Sequence, residues 1–213
     1  MRDVAIIDYG VGNLLSVERA FEQCGANAVI SSDPDYIRKA SHVVLPGVGA
    51  IANAMVSLTK DGLDQVVKEV AASGTPLLGI CLGMQLLLDE SDEFGVTRTL
   101  GLIPGRVVPV PNVSPDGAAV KIPNIGWYGL RMGEADVPWT GTLLEGIERG
   151  EAVYFVHSFM ARTADHHHHL ADCLYGGNSV TAVVIRDNVV GCQFHPEKSG
   201  DVGLRILRGF LSS

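Results

Sequence analysis

No hydrophobic run in this sequence is long enough to cross a membrane, and the first residues lack the apolar segment of a secretion signal. We therefore expect a cytoplasmic protein without membrane contact. Basic residues are the minority, with 16 Lys and Arg against 24 Asp and Glu, and they form no cluster. Because proteins bind nucleic acids through clustered basic side chains, we expect no nucleic-acid partner.

Cysteine is also scarce: there are four, at widely separated positions, and no two are spaced as a C-x-x-C pair. Such pairs are typical of zinc sites and redox couples, so we expect reduced thiols and neither of these functions. A run of histidines, His166 to His169, follows Asp165. Neighbouring residues cannot all face one ion, so we expect a solvated loop there and no metal site.

Repeats, low-complexity tracts and long linkers are absent too. A chain of 213 residues with 46% hydrophobic residues can bury a sizeable core. We therefore expect residues 1–213 to form one domain.

What the sequence does contain is a regular alternation of apolar runs and helical patterns in its N-terminal half. Short apolar runs at residues 4–8, 28–30, 42–45 and 77–80 are separated by amphipathic segments. This order predicts an α/β fold, a three-layer sandwich with a mainly parallel central sheet flanked by helices. Beyond residue 90 strand patterns prevail, and a turn signal at residues 186–188 predicts an extension of antiparallel strands in the C-terminal half.

Cys81 lies between Gly79 and Gly83, where an apolar run ends and a helical pattern begins. In a nucleophile elbow, a sharp strand-to-helix turn exposes the nucleophile, and flanking glycines leave room for the neighbouring backbone. The pattern predicts a nucleophile elbow in which cysteine is the nucleophile. Taken alone, Cys81 is equally well explained as a small buried hydrophobic residue.

A second glycine loop, Pro46-Gly47-Val48-Gly49, follows the third apolar run. In elbow enzymes, the oxyanion hole takes one N–H from the residue after the nucleophile and another from the loop after strand three. Leu82 and Val48 are the corresponding residues here. An earlier pair, Gly10 and Gly12, lacks the third glycine of a dinucleotide-binding motif, so we expect no cofactor.

The segment Gln193-Phe194-His195-Pro196-Glu197 ends the last apolar strand, which is predicted at residues 189–194. Strand alternation places His195 and Gln193 on one face, and Pro196 turns the chain so that Glu197 can reach the imidazole. A carboxylate on one ring nitrogen leaves the other nitrogen free to face a thiol. A His-Pro-Glu segment alone is more often structural, but combined with the elbow and the glycine loop it predicts a catalytic crevice.

Together, residues 79–85 and 193–197 resemble the motifs of class I, triad-type glutamine amidotransferases. Over nearly the whole chain, the sequence is similar to the glutaminase subunits of imidazole glycerol phosphate synthase, which act in histidine biosynthesis. The matching motifs are at residues 7–14, 45–50, 100–105, 154–158 and 195–200.

The resemblance implies that Cys81 is the nucleophile, His195 the base and acid, and Glu197 the residue that orients the imidazole. It implies hydrolysis of glutamine to glutamate and ammonia through a cysteine thioester, with the oxyanion bound by the Val48 and Leu82 N–H groups. Five further residues match positions where the family binds glutamine: Gly47, Gly49, Gln85, Ser158 and Phe159.

A partner is implied as well. Ammonia released into neutral water would be protonated and lost as a nucleophile, so the resemblance implies a heterodimer with a (β/α)8-barrel cyclase subunit. The cyclase uses the ammonia to make imidazole glycerol phosphate and an aminoimidazole carboxamide ribotide. Residues 123–128 depart from the family pattern in this region. Four residues match positions near the interface: Asn13, Tyr154, His157 and Lys198.

Three alternatives remain open. A glutaminase of another ammonia-channelling synthase, such as pyridoxal phosphate synthase, shares the triad. A non-catalytic regulatory module of this fold would lack a triad member, whereas all three are present. A cysteine hydrolase or peptidase could use the same elbow.

Overall fold

The computed structural model describes residues 2–213; Met1, the first residue of the predicted domain, lies outside the described residues. The strands are β1 (Asp3–Ile7), β2 (Asn27–Ser31), β3 (His42–Gly47), β4 (Leu77–Cys81), β5 (Glu90–Ser91), β6 (Thr97–Arg98), β7 (Gly105–Pro109), β8 (Asn124–Met132), β9 (Ala152–His157), β10 (Phe159–Thr163), β11 (His169–Tyr175), β12 (Asn178–Arg186) and β13 (Val189–Cys192). The α-helices are α1 (Leu14–Gln23), α2 (Pro34–Lys39), α3 (Ile51–Lys60), α4 (Leu63–Ala72), α5 (Leu82–Leu86) and α6 (Gly200–Leu211).

Nine strands form the main sheet, in the order β2-β1-β3-β4-β13-β12-β11-β8-β9. The first five strands in this order are parallel to one another, and the last four continue the sheet with antiparallel pairs. The predicted fold class is therefore confirmed, including the antiparallel strands of the C-terminal half. A second sheet, β10-β7-β5-β6, was not predicted.

Both faces of the parallel half are covered, which explains why its strands are apolar without alternation. Along β1, Val4 and Ile6 belong to one buried cluster, and Ala5 and Ile7 belong to another. Helices α1 and α6 contribute to the first cluster, and α2, α3 and α4 contribute to the second. Strand β1 thus lies in the middle layer of a sandwich, with helices above and below.

Local sequence signals set several of the helix boundaries. Helix α2 begins where the Asp33 carboxylate accepts a hydrogen bond from the Asp35 N–H, and Pro34 occupies the first helical position. Helix α6 buries Ile206, Leu207 and Phe210 along one face. Within residues 2–213, no helix combines the length and the apolar character that crossing a membrane requires.

The parallel register brings the proposed site together at one edge of the sheet. Gly47, at the carboxyl end of β3, pairs with Cys81 at the carboxyl end of β4. On the other side of β4, Cys192 at the end of β13 pairs with Ile80. The glycine loop after β3, the elbow after β4 and the segment after β13 therefore meet at this edge, where open α/β sheets bind ligands.

Candidate active site

Cys81 is the last residue of β4 and directly precedes α5, as the elbow predicts. Its φ of 55° and ψ of −110° lie in a region that side-chain-bearing residues rarely adopt. The flanking glycines are required by close backbone contacts: a Cβ on Gly83 would lie 1.8 Å from the Leu45 carbonyl oxygen, and one on Gly79 would lie 2.7 Å from that of Gly83. The elbow is therefore packed tightly against β3.

His195 lies beside the elbow, on a segment that continues past β13. The strand ends at Cys192, two residues earlier than predicted, and the His195 N–H donates to the Tyr154 carbonyl oxygen at 2.9 Å. The His195 Nδ1 lies 2.8 Å from Oε1 of Glu197, whose side chain is 1% exposed. Since Nδ1 is occupied by the carboxylate, Nε2 is the ring nitrogen left for chemistry.

The electrostatics of the site favour a protonated imidazole. Burial lowers the pKa of His195, but hydrogen bonds to Cys81 and Glu197, together with their charges, outweigh burial and raise the pKa to about 10. At neutral pH His195 is therefore an imidazolium, held between a carboxylate and the Cys81 sulfur.

A cavity of about 460 Å³ opens directly over Cys81 and His195. Its wall contains most of the residues expected to bind glutamine and both predicted oxyanion donors. The predicted residues that line it are Val48, Gly49, Cys81, Leu82, Gln85, Ser158, Phe159 and His195.

Gly47 differs from the prediction, because it does not line this cavity. It is buried behind the loop, where a Cβ would lie 2.5 Å from the Tyr9 hydroxyl. That hydroxyl donates to the Pro46 carbonyl oxygen at 2.8 Å. Burial, together with the Cys81 charge, raises the pKa of Tyr9, so the hydroxyl remains a donor. Gly47 is thus better explained as a close-packing position than as a glutamine contact.

His157 also differs from the prediction of an interface residue. It is 7% exposed, its Nδ1 lies 2.8 Å from the Phe159 carbonyl oxygen, and its Nε2 lies 3.0 Å from the Asn124 side-chain nitrogen. Its ring forms part of the cavity wall instead. Asn13 and Lys198 are exposed and Tyr154 is half-buried, and their interface role stays a prediction.

Gln85 is held by two hydrogen bonds from its amide nitrogen. Nε2 donates to the Phe159 carbonyl oxygen at 2.9 Å and to Oε1 of Gln193 at 3.0 Å. Both amide hydrogens are therefore used, and the acceptor Oε1 is the part of the amide that remains for a substrate N–H.

Sequence reasoning missed four residues of the cavity wall: Glu93, Phe94, Pro123 and Val156. Among the described residues, Glu93 is the one carboxylate in that wall, and its Oε2 accepts the Ile51 N–H at 2.6 Å. No fixed spacing links Glu93 to the triad motifs, so only the Asp92-Glu93 pair itself could have drawn attention to it.

A larger cavity, of about 750 Å³, lies elsewhere, among β8, β10, β11 and β12. Asp172 stands there between Ser179, at 2.5 Å, and His169, at 2.5 Å. Because the carboxylate lies between the serine and the histidine, the serine does not contact the imidazole, and the order is not that of a catalytic triad. His169 is part of β11, so only His166 to His168 form the turn predicted for the run, and of these His166 and His167 are exposed.

Comparison with known proteins identifies the family of this site. The profile described as "Glutamine amidotransferase class-I" matches residues 5–212. The chain belongs to this family. The predicted family is therefore confirmed.

Two curated relatives of this class I amidotransferase are named as subunits of imidazole glycerol phosphate synthase. "Imidazole glycerol phosphate synthase subunit HisH 1" of Legionella pneumophila (strain Lens) is 50% identical over 211 residues, covering 99% of both chains. The HisH subunit of Geobacillus sp. (strain WCH70) is 47% identical over 209 residues, covering 98% of this chain and 96% of the relative.

Solved structures agree on the fold. "Crystal structure of glutamine amidotransferase" aligns with a TM-score of 0.73 at 18% identity, covering 98% of this chain and 97% of the other. "Structure of PurLQS from Thermotoga maritima" aligns with a TM-score of 0.75 at 18% identity, covering 100% and 99%. At this identity the likeness concerns the fold alone.

Proposed function

We propose that this chain is the glutaminase subunit of an imidazole glycerol phosphate synthase, with Cys81 as nucleophile, His195 as acid and base, and Glu197 as the orienting carboxylate. The observation that carries the proposal is the 2.8 Å His195–Glu197 contact beside a strained elbow cysteine, with Cys81 and His195 both lining one cavity. The choice of synthase is supported by the near full-length relatives, which are named as subunits of imidazole glycerol phosphate synthase.

The first half of the reaction releases ammonia. The Cys81 thiolate attacks the side-chain carbonyl carbon of glutamine, a C–S bond forms, and charge moves onto the carbonyl oxygen. The N–H groups of Leu82 and Val48 stabilise this oxyanion. The His195 imidazolium then gives its Nε2 proton to the amide nitrogen, the C–N bond breaks, and ammonia leaves.

The second half restores the enzyme. Neutral His195 takes a proton from water as the water oxygen adds to the thioester carbon, and the C–S bond breaks. The thiolate and the imidazolium are re-formed, and the glutamate side chain loses its proton to solvent. Glu197 keeps Nδ1 fixed in both halves, so that Nε2 always faces the reacting atoms.

Glutamine recognition follows from the polar groups of the cavity wall. The Glu93 carboxylate is suited to the α-ammonium of a free amino acid, and the Gln85 Oε1 accepts an N–H of the substrate. A peptide substrate has no α-ammonium at an internal residue, so the position of Glu93 favours a glutaminase over a peptidase.

The ammonia is used by a second subunit, a (β/α)8-barrel cyclase that makes imidazole glycerol phosphate and an aminoimidazole carboxamide ribotide. Exposed apolar side chains support docking near the site: Val48 is 44% exposed at its mouth, and Ile125 and Trp127 are 52% and 55% exposed on β8. Trp127 packs against Tyr154, one of the expected interface residues, with ring centroids 5.9 Å apart. These residues belong to the surface that the cyclase covers.

Replacing Cys81 with alanine tests the assignment. In the assembled synthase, C81A is expected to abolish glutamine hydrolysis and glutamine-dependent synthesis, while ammonia added directly still supports synthesis by the cyclase. C24A removes a half-buried thiol outside the cavity and serves as the control with normal turnover. Retained glutamine hydrolysis by C81A would contradict the assignment, as would purification of the active chain with a barrel protein of another pathway.

A further inference from the structure

We propose that Gln193 donates a hydrogen bond to the Cys81 sulfur and stabilises negative charge on it, and that Gln85 orients Gln193 for this task. The proposal rests on the role of Cys81 as nucleophile, stated above. Gln193 lies one residue beyond β13 and is 0% exposed, with its side-chain Nε2 3.8 Å from the Cys81 sulfur.

The orientation of these amides is fixed by a backbone carbonyl. The Phe159 carbonyl oxygen can only accept hydrogen bonds, so the Gln85 group that faces it at 2.9 Å must be the NH2. The second hydrogen of that NH2 points at Gln193, which must therefore present its oxygen at 3.0 Å. The remaining end of Gln193, the NH2, then faces the sulfur. The Phe159 carbonyl thus determines which end of each glutamine amide donates and which accepts.

A second donor fixes the same carbonyl. The His157 Nδ1 lies 2.8 Å from the Phe159 carbonyl oxygen. Both lone pairs of the oxygen are therefore occupied, and the carbonyl cannot turn toward another group without breaking two bonds. Reversing the Gln85 amide would place two oxygens against each other at 2.9 Å, which is strongly unfavourable in a buried site.

The backbone holds Gln193 in place as well. Its N–H donates to the Ala182 carbonyl oxygen on β12 at 2.8 Å. Other titratable groups next to the sulfur are His195, Tyr9 and Cys192. The Tyr9 hydroxyl is committed to the Pro46 carbonyl oxygen, and burial raises the pKa of the Cys192 thiol, so that it stays neutral. Among the described residues, Gln193 and His195 are the side chains whose N–H groups reach the sulfur.

The two donors differ in whether their proton moves. His195 gives its proton to the departing ammonia and regains one only as water adds to the thioester. Gln193 cannot lose its proton, so its hydrogen bond to the sulfur is available throughout the reaction. Because Gln85 both lines the cavity and orients Gln193, the glutamine-binding residue and the nucleophile belong to one hydrogen-bonded chain.

Alkylation of Cys81 by iodoacetamide measures the sulfur without glutamine, so it separates this proposal from the proposed function. With the full chain at pH 7, Gln193→Leu, which removes the donor, is expected to slow alkylation about 10-fold, since a hydrogen bond to a charged group is lost. Gln193→Glu has nearly the same shape but adds a carboxylate, and it is expected to be slower still. C24A in every variant prevents labelling of that thiol. Wild-type alkylation rates in both variants would overturn the proposal.

Steady-state kinetics of the assembled synthase give a second readout. Gln193→Leu is expected to lower kcat about 10- to 100-fold and to leave KM for glutamine within about threefold, since Gln193 contacts the sulfur and does not line the cavity. Gln85→Leu is expected to lower kcat and to raise KM as well. A change in KM alone for Gln193→Leu would overturn the proposal. Thermal unfolding identifies variants that fail to fold, and the Glu variant then carries the comparison.

Discussion

His157 has both ring nitrogens committed to hydrogen bonds that suit only the neutral ring. Nδ1 donates to the Phe159 carbonyl oxygen, and Nε2 accepts from the Asn124 amide, so a second proton would face a donor. Burial, with a contribution from the His195 charge, lowers the pKa of His157 to about 4. This histidine therefore makes the stability of the chain depend on pH.

The unfolding free energy is expected to fall as pH decreases from 6.5 to 4. In this window the unfolded chain protonates residue 157 and the folded chain does not, so protonation favours unfolding and costs about 3 kcal/mol. His195 does not mask the effect. Because folding raises its pKa, the stabilisation of the folded chain that it provides is fully present below pH 6.5 and is lost only as the pH rises toward 10.

Urea unfolding at several pH values measures this slope. H157N keeps a donor for the Phe159 carbonyl oxygen and removes the titration, so its slope should be shallower than that of the wild type. H167N, at a side chain that is 82% exposed, serves as the control with the wild-type slope. Equal slopes in all three proteins would contradict the expectation.

At this scale the sequence predicted the residues that form contiguous motifs and missed the others. Cys81, His195 and Glu197 were found because an elbow and a His-x-Glu turn need fixed neighbours. Glu93 and Asn124 act through tertiary contacts with α3 and β9, which no local spacing encodes. The catalytic and binding roles of these residues stay predictions until the variants are measured.

Among the secondary-structure elements, the junction of β4 and α5 is the least tolerant of added atoms. Gly83 faces the β3 backbone, where the Leu45 carbonyl oxygen would lie 1.8 Å from a new Cβ. Backbone cannot move aside as a flexible side chain can, so the junction has to separate from β3.

Gly83→Ala is therefore expected to lower the unfolding free energy by about 3 kcal/mol or more and to reduce glutaminase activity. Gly74→Ala is the matched control: its φ is +80°, but a Cβ there meets nothing within 4 Å. That control should lose only about 1 kcal/mol, the cost of a left-handed conformation. Thermal and urea unfolding of both variants provide the comparison, and similar losses would argue against tight packing at the junction.

The longer secondary-structure elements were predictable because their apolar runs and amphipathic patterns extend over enough residues to show a period. The parallel strands, the helices between them and the turn at residues 187–188 follow from apolar runs and turn signals. The second sheet could not be predicted in this way, since β5 and β6 have two residues each and show no hydrophobic period. Strand β13 ends early because its pairing with β4 stops at Ile80, one residue before the elbow.

For the whole molecule, the exposed aromatic surface near the site matters most for binding a partner. Trp127 on β8 and Tyr154 on β9 lie side by side at the end of the sheet. Trp127 belongs to residues 123–128, where the sequence departs from the family pattern, whereas Tyr154 belongs to a segment that matches it. Large aromatic side chains contribute strongly to protein interfaces. The identity of the fold follows from motifs spread over the chain, but the shape of this surface also depends on residues outside them.

Trp127→Ala is expected to raise the Kd for the barrel cyclase about 10- to 100-fold. The unfolding temperature of the isolated chain should change little, because more than half of the side chain is exposed. Leu174→Ala, at a residue 47% exposed on β11, provides a control that leaves the Kd unchanged. Isothermal titration calorimetry gives the Kd of both variants, and thermal unfolding gives their unfolding temperatures. An unchanged Kd for W127A would place the partner on another surface.

The pairing of β13 with β4 has a consequence for how activity arises during synthesis. Cys81 leaves the ribosome in the first half of the chain, and its base follows only near the carboxyl terminus. Until β13 inserts beside β4, the nascent chain has a thiol but neither imidazolium nor Gln193 beside it. A chain that is incomplete therefore cannot consume glutamine, and hydrolysis begins only when the last strand of the sheet is in place.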